Sequence, residues 1–247
     1  MEEIKTQAIV LSSTDYKDAD RKLALFSCEN GLVYATIKGV KKPKAKLASF
    51  AQPFCFAEYM LSKKGDFYTV TNASSIENFF AITADFDKFV VASAMLEFCK
   101  KTIKENDPSV ELFLLLLRAL KQLDMTAANP MAVFIRFLID GLELAGYKII
   151  LDKCAVCDKD NMLHYGFGYS FDHGGIVCKV CQKTVDYLEL DQSEQGILKN
   201  ISMSKIDDIE RLKFHNTQAL VGVIKLLAKQ YRLLSGEELK VLTEYID

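Results

Sequence analysis

The chain has no excess of charge of either sign: 31 lysines and arginines stand against 33 aspartates and glutamates, a formal net charge of −2. Affinity for a polyanion would therefore have to come from local clustering of cations, not from the field of the whole molecule. Histidine is scarce, at three in 247 residues. Two of the three, His164 and His173, fall in one cysteine-bearing segment. Long apolar runs are missing too. The densest, Leu112 to Leu117, ends at Arg118, far short of the roughly 20 residues needed to cross a bilayer. Met1-Glu2-Glu3-Ile4-Lys5 lacks the basic stretch leading into an apolar one that marks a secretory signal. A soluble, cytosolic protein is expected. There is no Walker loop, no Gly-x-Gly-x-x-Gly after a strand, no Gly-x-Ser-x-Gly and no His-Glu-x-x-His. No catalytic residue is expected. The acidic group near the N-terminus, Asp15, Asp18 and Asp20, precedes a strand in a loop and reads as surface charge, not as the metal site of a nuclease.

What is present begins with seven cysteines. The number is odd and no secretory signal accompanies it, so a disulfide framework is not expected. Cys28, Cys55 and Cys99 stand alone and read as small buried hydrophobes. The other four form two knuckles, Cys154-Ala-Val-Cys157 and Cys178-Lys-Val-Cys181, separated by twenty residues. A two-residue gap lets both thiolates of a knuckle reach one metal, and two knuckles complete a tetrahedron with Zn–S distances of about 2.3 Å. One structural Zn2+ is expected, held by Cys154, Cys157, Cys178 and Cys181. Four thiolates leave no open position for water or substrate. A redox dithiol or an iron–sulfur cluster fits this doubled spacing less well. His164 and His173 are expected to face solvent.

The first eighty residues read as strands. Thr6–Ser12, Arg21–Cys28, Leu32–Val40, Pro53–Leu61 and Phe67–Thr71 are short, rich in β-branched and aromatic residues, and bounded by turn signals such as Asn30-Gly31 and Lys63-Lys64-Gly65-Asp66. Five strands with no helix among them predict a small antiparallel barrel. The character changes near Phe79. Apolar residues at Phe86, Phe89, Val90, Ala94, Phe98 and Ile103 repeat at helical spacing. Pro108 reads as a first-turn residue of a second helix running to about Asp124. Asn129 is expected to cap a third, with Pro130 at its first position and Gly146 as its stop. Helical periodicity returns from Gln218 to Leu234, ended by Gly236. Between the helical parts, Tyr165-Gly-Phe-Gly-Tyr169 and Asp172-His-Gly-Gly175 suggest a hairpin carrying the knuckles. The fold class is thus multi-domain α+β: a barrel over 1–79, a helical domain over 80–150 and 184–247, and a four-cysteine finger inserted at 151–183.

The charge missing from the whole is concentrated in one loop. Lys38, Lys41, Lys42, Lys44 and Lys46 lie within nine residues, around Gly39 and Pro43. A shaped basic loop where a strand leaves a barrel suits the phosphates of a single strand. Strand alternation puts Tyr34, Thr36 and Lys38 on one face, a ring beside the charge. A lysine run can equally be plain solvated surface.

Barrel, basic loop, helical domain and finger, in this order, resemble the RecO family of bacterial recombination-mediator proteins. The resemblance is densest in Asp18-Ala-Asp-Arg-Lys-Leu-Ala-Leu-Phe, in Asn30-Gly-Leu-Val with Lys38-Gly-Val-Lys-Lys-Pro-Lys, in Gln52-Pro-Phe and in Gly174-Gly-Ile-Val-Cys178. It implies an OB-fold barrel and binding of single- and double-stranded DNA, with Lys38, Lys41, Lys42 and Lys44 as contacts. It also implies annealing of complementary strands and, with RecR, loading of RecA onto DNA coated by single-stranded DNA-binding protein. The helical domain would receive the acidic, apolar C-terminal tail of that coating protein, with Arg118, Lys121 and Arg136 as candidate cations. A cytoplasmic, nucleoid-associated, non-enzymatic protein follows. Two departures stand out: the basic loop holds lysine where family members often carry arginine, and Asp158 follows the second knuckle cysteine where glycine is common. The residues alone also fit an RNA- or translation-associated OB protein with a zinc ribbon.

Overall fold

Alternation of apolar and polar residues through the first eighty positions builds five strands, β1 (Glu2–Tyr16), β2 (Asp20–Ser27), β3 (Gly31–Ile37), β4 (Cys55–Lys64) and β5 (Phe67–Asn78). In this computed structural model, which describes residues 2–160 and 166–246, they close into a barrel in the order β1-β2-β3-β5-β4 and back to β1. All pairings are antiparallel except β3 with β5. This is the OB-like barrel the sequence predicts. Its interior is filled by residues such as Val10, Leu23, Leu25, Ile37, Tyr59 and Leu61.

The strands are longer than the sequence signals. β1 runs on to Tyr16 because Thr14, Asp15 and Tyr16 pair with Lys22, Arg21 and Asp20, although their side chains carry no strand pattern. A bulge at Leu11 lets one strand serve two neighbours by increasing its local twist. The Asn30-Gly31 turn is also wider than a two-residue hairpin. Ser27 pairs with Gly31, so Cys28, Glu29 and Asn30 form the loop, and only Gly31 takes a positive φ, of 65°. A Cβ at Gly31 would lie 2.5 Å from the Asp107 carbonyl oxygen, so glycine is required twice over. Cys28, in this loop, is half-buried, whereas Cys55 and Cys99 are buried as expected.

Two compact units, residues 1–124 and 125–247, make up the chain. In the first, the barrel packs against α1 (Phe86–Thr102) and α2 (Val110–Met125). Phe113 meets Phe26 and Phe56 edge-on, with ring centroids 5.2 and 5.8 Å away, so one outer wall of the barrel is a helix-packing surface. The helix expected from the apolar spacing is α1, and one expectation, the place of Pro108, is corrected. Phe86 and Phe89 are exposed at 71% and 41%, and the buried stripe consists of Val90, Val91, Ala94, Met95, Phe98 and their neighbours. Pro108 lies ahead of α2, which opens at Val110 with the Ser109 carbonyl accepting from the Phe113 N–H. The segment before it is committed to a Lys104–Asp107 bridge.

The second unit holds α3 (Pro130–Leu144), the hairpin β6 (Phe167–Ser170) and β7 (Gly175–Cys178), the short β8 (Leu188–Glu189), α4 (Gln192–Ser202), α5 (Thr217–Ser235) and α6 (Lys240–Ile246). Asn129 caps α3 as expected, its side chain accepting from Met131 and Ala132, with Pro130 first in the helix. Gly236 ends α5 at φ 74°. The hairpin is tied to α5 by a buried hydrogen bond from the Tyr169 hydroxyl to Gln230 Oε1, at 3.1 Å. Lys229 Nζ also sits 4.3 Å from the Phe171 ring centre. His164 and Tyr165 lie outside the described residues.

Candidate nucleic-acid interface and metal centre

The chain leaves β3 at Ile37 and enters a loop with a defined backbone. Gly39, at φ 69°, donates its N–H to Asp20 Oδ1 at 2.8 Å. The Lys41 N–H reaches the Ala19 carbonyl at 3.1 Å, and further turns close from Lys42 to Gly39 and from Ala45 to Lys42. Val40, 7% exposed, anchors the loop in the barrel core. Lys38, Lys41, Lys42, Lys44 and Lys46 are all exposed. The loop is thus a shaped ridge of cations held by the β1–β2 hairpin.

The acidic residues have a role there that the sequence did not disclose. Asp20 fixes the loop backbone, and Asp15 Oδ2 pairs with Lys41 Nζ at 2.8 Å. Lys41, and behind it Arg21, hold the Asp15 carboxyl below its ordinary range. Among the described residues Lys38, Lys42, Lys44 and Lys46 make no ion pair, which leaves their charge available. Tyr34 stands outward on β3 at 46% exposure, with Thr36 and Lys38 on the same face. Phe54 and Tyr59 are buried instead, and Tyr68 is partly packed on the core. Sequence reasoning missed Tyr16, whose ring has Lys22 Nζ at 4.8 Å and Lys17 Nζ at 5.2 Å from its centre. Only strand register, which sets Lys22 opposite both Thr14 and Thr36, brings them into view.

The four knuckle cysteines converge. The sulfurs of Cys154, Cys157, Cys178 and Cys181 all lie within 4.8 Å of one another, and no other such group occurs among the described residues. Cys157 and Cys178 sulfurs are 3.9 Å apart, close to the edge of about 3.8 Å that a tetrahedron with 2.3 Å arms requires. Backbone N–H groups point at the sulfurs, from Cys178 to Cys154 and from Cys181 to Cys178, each at 3.4 Å. Burial raises the Cys154 thiol, but the N–H groups of Cys178, Cys157 and Val156 outweigh it and bring the pKa down to about 6. Cys178 is lowered chiefly by the Cys181 N–H. Cys181 is pushed up to about 12, first by its hydrogen bond with Cys178 and then by burial. Such a donor set is compatible with one metal ion.

Two local features keep the knuckles in place. Gly175 lets the Ile150 backbone close on β7, where a Cβ would come within 2.4 Å of the Ile150 oxygen. Asp158 adopts the left-handed conformation, φ 56°, that glycine would take, and pairs with Lys153 at 2.5 Å. The turn is kept despite the substitution, because a short polar side chain tolerates this region better than most. His173 is exposed and meets Ser170 Oγ at 3.1 Å, outside the sulfur cluster.

Of the three candidate partner cations, Arg118 and Lys121 are exposed on α2 in the first unit, beside the exposed Leu114 and Met125. Arg136, in the second unit, is buried. Its guanidinium pairs with Asp140 and donates to the carbonyls of Ile201 and Ser202 at 3.1 and 2.9 Å, so it caps α4. Burial pulls its pKa down. Arg136→Met should therefore cost about 2–3 kcal/mol, since charged hydrogen bonds to two carbonyls are lost together. A fall in the urea midpoint measures this; an unchanged midpoint would show that the cap is dispensable.

The family described as "Recombination protein O N terminal" matches residues 1–79, and "Recombination protein O C terminal" matches residues 83–242. The chain belongs to the recombination protein O family. Among its relatives, "DNA repair protein RecO" of Caldanaerobacter subterraneus subsp. tengcongensis is 28% identical over 98% of this chain and 91% of the relative. The protein of the same name from Dehalococcoides mccartyi is 29% identical over 97% and 94%. That of Thermoanaerobacter sp. is 30% identical over 90% and 86%. The family's N-terminal segment covers the barrel and basic loop, and its C-terminal segment covers the helices and the cysteine cluster.

Proposed function

We propose that the protein is a DNA-repair and recombination mediator that binds single- and double-stranded DNA and anneals complementary strands. With RecR it would help load RecA onto DNA covered by single-stranded DNA-binding protein. The observation that carries this reading is the exposed ridge of Lys38, Lys42, Lys44 and Lys46 on an OB-like barrel, in a chain of net charge −2. Annealing needs only that phosphate repulsion be neutralised and two strands be held together. No catalytic group is required, and we assign none. The relatives' shared name, DNA repair protein, favours DNA over RNA as the ligand.

Residues 1–79 would form the nucleic-acid-binding domain, the helices of 80–150 and 184–247 the partner-binding domain, and 151–183 the finger. Arg118 and Lys121, with Leu114 and Met125 nearby, offer cations beside apolar surface for an acidic, apolar tail. Arg136 would contribute only by bracing the second unit. The four sulfurs would hold one structural Zn2+, which suits four thiolates in a tetrahedron. The protein would act in the bacterial cytoplasm at the nucleoid.

Titration of a labelled single strand at two salt concentrations tests the reading. About four free lysines predict a slope of log K against log salt near −3. Asp15→Asn, by releasing Lys41, should tighten binding several-fold and steepen the slope by about 0.7. Absence of binding in dilute salt would end the proposal.

A further inference from the structure

The register of the barrel places a second ring on the face that carries Tyr34. Thr14 faces Lys22, Lys22 faces Thr36, and Thr36 faces Thr69, one row across four strands. In the next row Ser12, Ala24 and Tyr34 follow in order. Ala35 pairs in parallel with Tyr68, so Tyr34 and Phe67, the residues just before that pair, share the opposite, outer face. Neighbouring strands are about 4.8 Å apart, so the two residues occupy adjacent strands of this face, each ring open to its own base. Phe67 is 80% exposed and Tyr34 46%.

A single exposed ring is ordinary surface, but the setting of this pair is not. Lys64 lies opposite Phe67 on β4, and Lys22 and Lys38 occupy neighbouring positions of the same face; all three are exposed. The Asp20 carboxylate, one strand away from Lys38, accepts from the Gly39 N–H. Exposed rings bordered by lysines form a poor protein interface, since lysine is depleted there. They suit a ligand that joins flat apolar faces to phosphates.

We infer that Tyr34 and Phe67 form a two-ring platform on which unpaired bases stack, so that the barrel selects single strands by base as well as by phosphate. This rests on the DNA-binding reading above and adds a mode of discrimination to it. In a duplex the base faces are covered by their neighbours, and the platform gains nothing from them. In a single strand each base can offer a face to an aromatic side chain.

The chain contains no tryptophan, so Phe67→Trp introduces a unique fluorophore at the platform. Oligothymidylate should quench its emission on binding, and an abasic oligodeoxyribose phosphate of equal length should not. Phe67→Ala and Tyr34→Ala should each weaken oligothymidylate binding about tenfold, with the salt slope and abasic binding unchanged. Binding without quenching, or an equal loss on both oligonucleotides, overturns the platform and leaves a purely electrostatic track. If the unaltered protein binds neither oligonucleotide, the DNA-binding reading itself fails.

Discussion

Changing Lys38, Lys42 and Lys44 together to glutamate should abolish measurable single-strand binding at moderate salt while leaving the fold intact. Each substitution reverses one charge, so the ridge shifts by six units of charge in a chain of formal net charge −2. For about four phosphate contacts, raising salt from 50 to 200 mM already weakens binding about 50-fold. Losing three contacts and adding three repulsions should cost more than that, at least a hundredfold, and should flatten the salt slope by about 2. Lys41 is left out because Asp15 already neutralises it. The fold should survive, since the three side chains are exposed, make no ion pair among the described residues, and the loop is held by Gly39, Val40 and backbone bonds to the β1–β2 hairpin. Anisotropy titration with circular dichroism as the folding control decides the matter. A variant that is folded and still binds with unchanged affinity would show that the ridge is not the contact.

Loss of the proposed Zn2+ should be the largest single blow to stability. Metal binding contributes on the order of 10–16 kcal/mol to folding in isolated zinc fingers. In this chain the loss should be smaller, because Tyr169 and Phe171 tie the hairpin to Gln230 and Lys229. A fall of several kcal/mol in the stability of the second unit is expected on chelation or on Cys154→Ser. Cys154→Ser should be worse than Cys157→Ser, since Cys154 is fully buried and Cys157 is exposed. Elemental analysis should find one zinc per chain. Acid should have the same effect. The Cys154 pKa is depressed from 9.0 to about 6, so its contribution is complete above the unfolded value and is lost as pH falls through about 6. A purified protein without metal, or one equally stable with and without chelator, would contradict this.

The legibility of the site divided along physical lines. The cysteine cluster was readable because Cys-x-x-Cys spacing is set by the reach of two side chains on one turn, which needs no knowledge of the fold. Asn129-Pro130 and Gly236 were readable for the same reason: capping is decided within a few residues. The spacing through Phe86 and Phe89 foretold α1 but not its covered side: Phe86 is 71% exposed, while Phe89 meets the buried Phe54 edge-on at 6.0 Å. Arg136 misled. Its charge suggested a surface role, and the burial of α3 against α4 could not be seen from its neighbours in the chain.

What the order of residues determined by itself was local: the alternation that makes strands, the caps that start and stop helices, the lysine ridge and the metal-ligand spacing. What the tertiary structure decided was pairing between residues distant in sequence. Closure of the barrel set Asp15 on Lys41, Lys22 over Tyr16 and Thr36 against Thr69. The reason is that a slip of one residue in strand register moves every side chain to the opposite face. That register is fixed by the packed core and by bulges, and no short stretch of sequence contains it.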